Sequence, residues 1–279
     1  MPSGEVTDLV PTSRCGVVGD PVAHSLSPTL HNAAYEALGL PFRYDAARVP
    51  SGGLAAHVAG LGTEWRGLSV TAPLKREALE LADVVTDRAR LAGGANTLVR
   101  DGQAWLADNT DLPGAVAAIR ERHTGAVHSA TVLGAGATAA STGLALAELG
   151  VTSIRLLARD PARAEDTVAA LRRHPDLAVD VLEIDVGAVV GEIVVSTIPA
   201  AAQTDAVLAA TATAAVVFEV VYDPWPTPLA LAARSREQVL VTGLDLLVHQ
   251  ALLQFEMFTG HDGPLETMRA AGEAALAGR

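Results

Sequence analysis

Cysteine is nearly absent from the 279 residues: Cys15 is the single one. That excludes an internal disulfide framework and a thiolate cage for a metal. Cys15 itself lies in an apolar strand and reads as inert packing. Aromatic residues make up only 4%, and 20 lysines and arginines face 32 aspartates and glutamates, for a net charge of −12. With no basic patch and no aromatics interleaved with one, neither nucleic acid nor an anionic membrane surface is expected as a partner. Long apolar runs are also missing. The longest, Ala206 to Val221, is broken by Thr211, Thr213 and Glu219 and reads as a helix end, a turn and a buried strand. The opening residues, Met1 to Asp8, have neither the basic start nor the apolar stretch of a secretion signal, so a cytoplasmic location is expected.

What is present is a glycine-rich loop in the middle of the chain. Val132-Leu133-Gly134-Ala135-Gly136-Ala137-Thr138-Ala139-Ala140 reads as a strand entering G-x-G-x-x-A and then an alanine-rich helix. The first glycine permits the tight turn, the second lets backbone N–H groups approach a pyrophosphate, and Ala139 lets the helix pack close to its strand. A second strand, Ile154 to Ala158, follows, so the loop has the context that a bare glycine pattern lacks. About twenty residues past such a loop an NAD-binding fold places a carboxylate for the ribose 2′-hydroxyl. Here Ala158 holds that position, followed by Arg159 and then Arg163, two cations able to face a 2′-phosphate. The pattern favours NADP and leaves NAD open. Asp160 either opposes the phosphate or caps the helix that starts at Pro161, and the arginines also fit a solvated helix start.

Around this loop the chain alternates strands and helices. Gly16 to Val18, Phe42 to Val49 and Gly67 to Val70 read as strands, separated by helices at Pro28 to Leu38, Leu54 to Ala59 and Pro73 to Leu81. Thr97 to Arg100 and Gln103 to Ala107 form a hairpin about Asp101-Gly102. A helix from Leu112 to Arg122 crosses to six further strands: Ala130 to Leu133, Ile154 to Ala158, Val179 to Ile184, Ile193 to Ser196, Ala215 to Val220 and Val239 to Val241. Helices Asp245 to Phe258 and Pro264 to Leu276 close the chain. The expected fold is α/β, with a mostly parallel substrate domain and a Rossmann-like doubly wound dinucleotide domain.

The first third of the chain carries polar residues in loops just beyond its strands, where open α/β sheets bind ligands. Ser25 and Ser27 offer two hydroxyls to a carboxylate or a diol, although Ser27 before Pro28 also reads as a plain helix cap. Lys75 falls in the first turn of a helix opened by Pro73, where the macrodipole disfavours a cation. It either reaches into the cleft toward a ketone or alcohol oxygen or is a solvated surface lysine. Asn96 and Asp111 flank the hairpin, and a lysine and an aspartate converging on one hydroxyl make a proton-transfer pair for carbonyl reduction. Asp111 also fits a helix cap and Asn96 a turn residue. His24, His31 and His249 lie near these stretches with no assigned role.

Together these stretches resemble the shikimate dehydrogenase family along nearly the whole chain. The family patterns Ser-x-Ser-Pro, Asn-Val-Thr-x-Pro-x-Lys, Gly-Ala-x-Asn-Thr, Asn-Thr-Asp, Gly-Ala-Gly-Gly and Tyr-x-Pro are met by Ser25 to Pro28, Ser69 to Lys75, Gly94 to Thr97, Asn109 to Asp111, Gly134 to Ala137 and Tyr222 to Pro224. A glutamine-bearing helix follows at Gln250. The resemblance implies NADP-linked interconversion of shikimate and 3-dehydroshikimate in aromatic amino acid biosynthesis, by a monomer or homodimer. By the same resemblance Lys75 and Asp111 are the catalytic pair, and Ser25, Ser27, Thr71, Asn96, Tyr222 and Gln250 hold the substrate. Gly134, Ala135, Gly136, Ala137, Thr138, Arg159, Arg163 and Gly243 hold the cofactor. The implied domains are 1–111 with 243–279 for substrate and 112–242 for dinucleotide. Ser69 stands where the family has asparagine, Ala137 where it has a loop glycine, and Ala158-Arg159-Asp160 where it has Asn-Arg-Thr. Relatives acting on quinate or aminoshikimate with NAD, and a non-catalytic NADP-binding paralogue, are the alternatives.

Overall fold

In the computed structural model, which describes residues 13–184 and 189–279, two six-stranded sheets stand side by side. The opening residues read for a secretion signal lie outside this range. The first sheet comprises β1 (Ser13–Gly19), β2 (Phe42–Arg48), β3 (Trp65–Val70), β4 (Val84–Val85), β5 (Thr97–Asp101) and β6 (Ala104–Asp108), in the order β2-β1-β3-β5-β6-β4. β1 runs parallel to β2 and β3, whereas β5 is antiparallel to both β3 and β6. Strand β1 is buried along almost its whole length, and its apolar stretch from Cys15 to Gly19 suits a strand covered on both faces. Helices α1 (Ser27–Ala37), α2 (Leu54–Ala59), α3 (Lys75–Leu81) and α4 (Asp87–Ala92) connect these strands.

Helix α5 (Asp111–Arg122) leads into the second sheet: β7 (Ser129–Leu133), β8 (Ser153–Ala158), β9 (Ala178–Glu183), β10 (Ile193–Ser196), β11 (Val216–Glu219) and β12 (Val239–Thr242). Its order, β12-β11-β10-β7-β8-β9, is parallel throughout and doubly wound. Helices α6 (Ala137–Glu148), α7 (Glu165–Leu171), α8 (Asp205–Ala210) and α9 (Pro228–Ser235) flank it. The strand order reverses between β7 and β10, which opens a crevice beyond their carboxyl ends.

The final helices, α10 (Gly243–Thr259) and α11 (Leu265–Ala277), return to the first sheet. Val248, Phe255 and Met268 share one buried cluster with Leu30, Tyr35 and Tyr44. Complete burial of Phe255 alone contributes about 2–3 kcal/mol. Leu112 and Ile119 of α5 belong to the other core, packed with Val132, Leu144 and Ile154. Helices α5 and α10 thus pack together where the two sheets meet.

Three local expectations change. Pro73 does not open a helix: a turn closed by the Leu74 N–H on the Thr71 carbonyl (3.0 Å) precedes α3, and Lys75 is its first residue. Ser27 is the first residue of α1, not its cap; the capping position is Leu26 and makes no side-chain cap. β4 and α4 had no counterpart in the reading, because two residues show no periodicity and α4 is only six long. The Thr86 cap and the left-handed Gly93 beyond α4 were legible signals. The apolar run ending at Val221 resolves as α8, a 3-10 turn and β11. No helix among the described residues is long and apolar enough to cross a membrane.

Candidate active site

A cleft of about 670 Å³ opens between the carboxyl ends of the two sheets, a volume suited to a small ring. One wall comes from loops of the first sheet: Ser25 and Ser27 after β1, Thr71 and Lys75 after β3, Asn96 before β5, and Asp111 after β6. The opposite wall brings Thr138 at the start of α6, Thr197 after β10, Tyr222 after β11 and Gly243 after β12. Gln250 reaches in from α10.

Lys75 and Asp111 form the centre. The Lys75 ammonium donates to Asp111 Oδ2 at 2.6 Å, and both side chains are about nine-tenths buried. Lys75 is the first residue of α3, where the helix dipole opposes it, and Asp111 is the first residue of α5, where the dipole favours a carboxylate. The ion pair offsets the cost of holding a cation there. Lys75 Nζ also donates to Thr138 Oγ1 at 3.4 Å, reaching across the cleft to the glycine-rich loop.

Asn96 is held in one orientation, since its Oδ1 accepts from the Thr110 N–H at 2.7 Å. Its amide group therefore donates to Asp111 Oδ1 (2.9 Å) and to Gln250 Oε1 (3.2 Å). Gln250 in turn donates to the Leu247 carbonyl at 2.9 Å. Neither residue behaves as a turn residue or a surface amide. The capping position of α5 is Thr110, which makes no side-chain cap; Asn109, one residue earlier, accepts from the Leu112 N–H with its Oδ1 at 3.1 Å, and Asp111 is left to pair with Lys75. Burial pushes the Tyr222 phenol up, and its hydroxyl lies toward Ser25 and the Leu26 backbone.

The glycine-rich loop has the form of an anion cradle. Gly134 has φ of +103°, and a Cβ there would sit 2.3 Å from Thr197 Oγ1. Nothing lies within 4 Å of a Cβ at Gly136, and α6 carries no side-chain cap, so its first N–H groups face open space. Ala135 and Ala137 complete the loop. Past β8, Arg159 and Arg163 are exposed, and no ion pair involves either among the described residues. Asp160 is spent as a cap, its carboxylate accepting from the Ala162 N–H at 3.1 Å. These residues fit a dinucleotide carrying a 2′-phosphate. They flank the cleft rather than line it, apart from Thr138 and Gly243.

Sequence reading did not assign Ser69 a partner and missed Gln254 and Tyr44. Ser69 and Gln254 line the cleft, joined by a 2.6 Å hydrogen bond. Gln254 stands one turn beyond Gln250 on α10, a spacing that could have found it. His24 lines the cleft mouth. His31 is fully buried behind the floor, and burial lowers it to about 3. His249 pairs with Glu121 at 2.6 Å, away from the cleft.

A family model described as the shikimate dehydrogenase substrate binding domain matches residues 17–98, and one described as the shikimate 5′-dehydrogenase C-terminal domain matches residues 243–271. The shikimate dehydrogenase (NADP(+)) of Symbiobacterium thermophilum is 34% identical over 98% of both chains. The crystal structure of Mycobacterium tuberculosis shikimate dehydrogenase is 43% identical, with a TM-score of 0.86 over 94% of this chain and 99% of that one. A Thermus thermophilus shikimate 5-dehydrogenase, solved in complex with NADP(H) and shikimate, superposes with a TM-score of 0.82 at 27% identity, covering 95% and 100%.

Proposed function

The chain belongs to the shikimate dehydrogenase family, and on that premise we propose how its cleft interconverts shikimate and 3-dehydroshikimate with NADP. It is an NADP-dependent oxidoreductase acting on a CH–OH group, in the service of aromatic amino acid biosynthesis. The observation that carries the site assignment is the buried Lys75–Asp111 pair, 2.6 Å apart, with Thr138 of the cofactor loop 3.4 Å from the same ammonium.

When bound, the nicotinamide supplies or accepts the hydride. Lys75 points a donor at the oxygen on the ring carbon that is oxidised or reduced, and Asp111 holds that donor and takes part in the proton's passage. In reduction the oxygen gains its proton from this pair; in oxidation it returns the proton there. Ser25 and Ser27 engage the substrate carboxylate, with Tyr222 behind Ser25. Thr71, Asn96 and Gln250 meet the ring hydroxyls. The loop Gly134 to Thr138, with Gly243, would hold the dinucleotide, and Arg159 with Arg163 would offer cations to its 2′-phosphate. Residues 1–111 with 243–279 act as the substrate half and 112–242 as the dinucleotide half, a division supported by α10 and α11 completing the first core.

The test is nicotinamide absorbance with purified protein, offering shikimate or quinate with NADP or NAD. Turnover of shikimate with NADP is expected. Preference for NAD would remove the role given to Arg159 and Arg163, and turnover of quinate alone would replace the substrate. Silence in all four pairings would overturn the reading.

A further inference from the structure

At the cleft floor lies a buried line of three side chains, Ser69 and Gln254 lining it and Tyr44 behind them, that the proton pair and the cofactor loop do not use. Its hydrogen-bond directions are fixed from one end. Gln254 Nε2 lies 3.1 Å from the Asn96 carbonyl, which can only accept, so the amide group must face it. The same group donates to Thr97 Oγ1 at 2.9 Å, and Thr97 spends its own hydrogen on Asn96 Oδ1 at 2.9 Å. Gln254 Oε1 therefore faces Ser69, and at 2.6 Å it obliges Ser69 to donate. With that one hydrogen spent, the Tyr44 hydroxyl 2.5 Å away must donate to Ser69 Oγ. Burial pushes the Tyr44 phenol upward, so it keeps its proton, and its ring is clamped in a stack on His31 at 4.2 Å.

We infer that Ser69 presents only a lone pair to the cleft, so this part of the floor takes a hydrogen-bond donor of the ring, a hydroxyl or an ammonium, and refuses a group that cannot donate. Resting on the ring-alcohol reading above, this makes Ser69 a specificity-determining residue and Tyr44 and Gln254 its positioning residues. The cleft then separates two kinds of ring oxygen by polarity alone. A ketone oxygen finds its donor at Lys75, and an unoxidised hydroxyl finds its acceptor at Ser69. An asparagine carboxamide at this position, as in the family pattern, can offer either polarity; a serine held between Tyr44 and Gln254 cannot.

The experiment uses shikimate and analogues in which one of the two ring hydroxyls that are not oxidised is replaced by hydrogen, fluorine or an amine. Steady-state kcat and KM are measured for the wild type, Ser69→Ala, Tyr44→Phe and Gln254→Met, with NADP binding as the check that each variant is folded. At one ring position the wild type is expected to keep the amine within a few-fold of shikimate and to lose roughly 10- to 100-fold in kcat/KM with hydrogen or fluorine. Ser69→Ala should raise the KM for shikimate about tenfold with little change in kcat, and should no longer distinguish hydroxyl from hydrogen. Tyr44→Phe, which keeps the ring stack, should raise KM by a smaller factor. In Gln254→Met the Ser69 hydrogen is released toward the cleft, and the fluorine penalty should shrink. Equal use of hydroxyl and fluorine analogues by the wild type at both positions would overturn the inference, as would unchanged discrimination in Ser69→Ala. Either result leaves shikimate turnover itself standing. Absence of turnover in the wild type would instead overturn the function on which the inference rests. Should a variant lose NADP binding, the wild-type analogue series decides alone.

Discussion

At the scale of single residues, Lys75 is where local and functional demands diverge. An ammonium at the first position of α3 opposes the helix dipole, and its burial is tolerated through Asp111. Lys75→Ala is expected to lower kcat by roughly 10²- to 10⁴-fold while shikimate KM moves only a few-fold, because the lost contact is to the oxygen whose charge changes. Near-normal turnover in this variant would remove Lys75 from the reaction. Asp111→Asn should add little to the loss in a Lys75→Ala background, since the two act as a unit. The place of Lys75 in the cleft was legible in the sequence from the misplaced charge taken together with Asp111 and the glycine-rich loop, since the charge alone also fits a surface lysine. Tyr44 was not legible, since its role arises from hydrogen bonds linking positions far apart in the chain, and for Gln254 only its place one turn beyond Gln250 was open to sequence reading. Of the two readings of Asp160, the structure shows the cap: its carboxylate accepts from the Ala162 N–H at 3.1 Å.

At the scale of elements, the site depends on how closely α5 and α10 approach. A Cβ on Gly114 would stand 2.9 Å from both the Cβ and the backbone nitrogen of Gln250, so only glycine allows this contact. Gly114→Ala must push α10 outward and carry Gln250 away from Asn96. The expected outcome is a higher KM for shikimate, NADP binding near normal, and a loss of about 1–3 kcal/mol in stability. A shikimate KM equal to that of the wild type would show that Gln250 does not depend on this approach. The long elements, from β7 to α6 and the two closing helices, were readable from periodicity and the glycine loop. The short ones were not: α3 begins after a turn instead of at Pro73, and β4 is only two residues long. The closing helices could be drawn from sequence, but their return to the first sheet rests on Val248 and Phe255 meeting Leu30 and Tyr35, a tertiary contact with no local signature.

At the scale of the whole molecule, two buried groups with opposed shifts shape the dependence of stability on pH. Glu219 is fully buried at the end of β11, and desolvation lifts it to about 7 although the Val221 N–H, Thr227 and Gln203 all donate to it. Its folded pKa exceeds its ordinary value of 4.5, so the stability it contributes is present below pH 4.5 and is lost as pH rises toward 7. Burial lowers His31 from 6.5 to about 3, so its contribution is present above pH 6.5 and lost as pH falls toward 3. Half-buried His57 is lowered by the same cause and acts in the same direction. Each of the two main groups gives a slope of about 1.4 kcal/mol per pH unit, and between pH 4.5 and 6.5 the slopes oppose one another. Urea midpoints of the wild type should therefore form a plateau across that interval. Below it stability should fall steeply, since Asp108 and Asp245, which Arg88 and Arg122 hold down against the upward pull of burial, also take up protons there. Glu219→Gln removes one of the opposing slopes, so stability should climb with pH from 4.5 to 6.5 by about 2–3 kcal/mol. His31→Phe removes the other, and stability should decline across the same interval. A plateau that survives both substitutions would mean that neither group governs the balance.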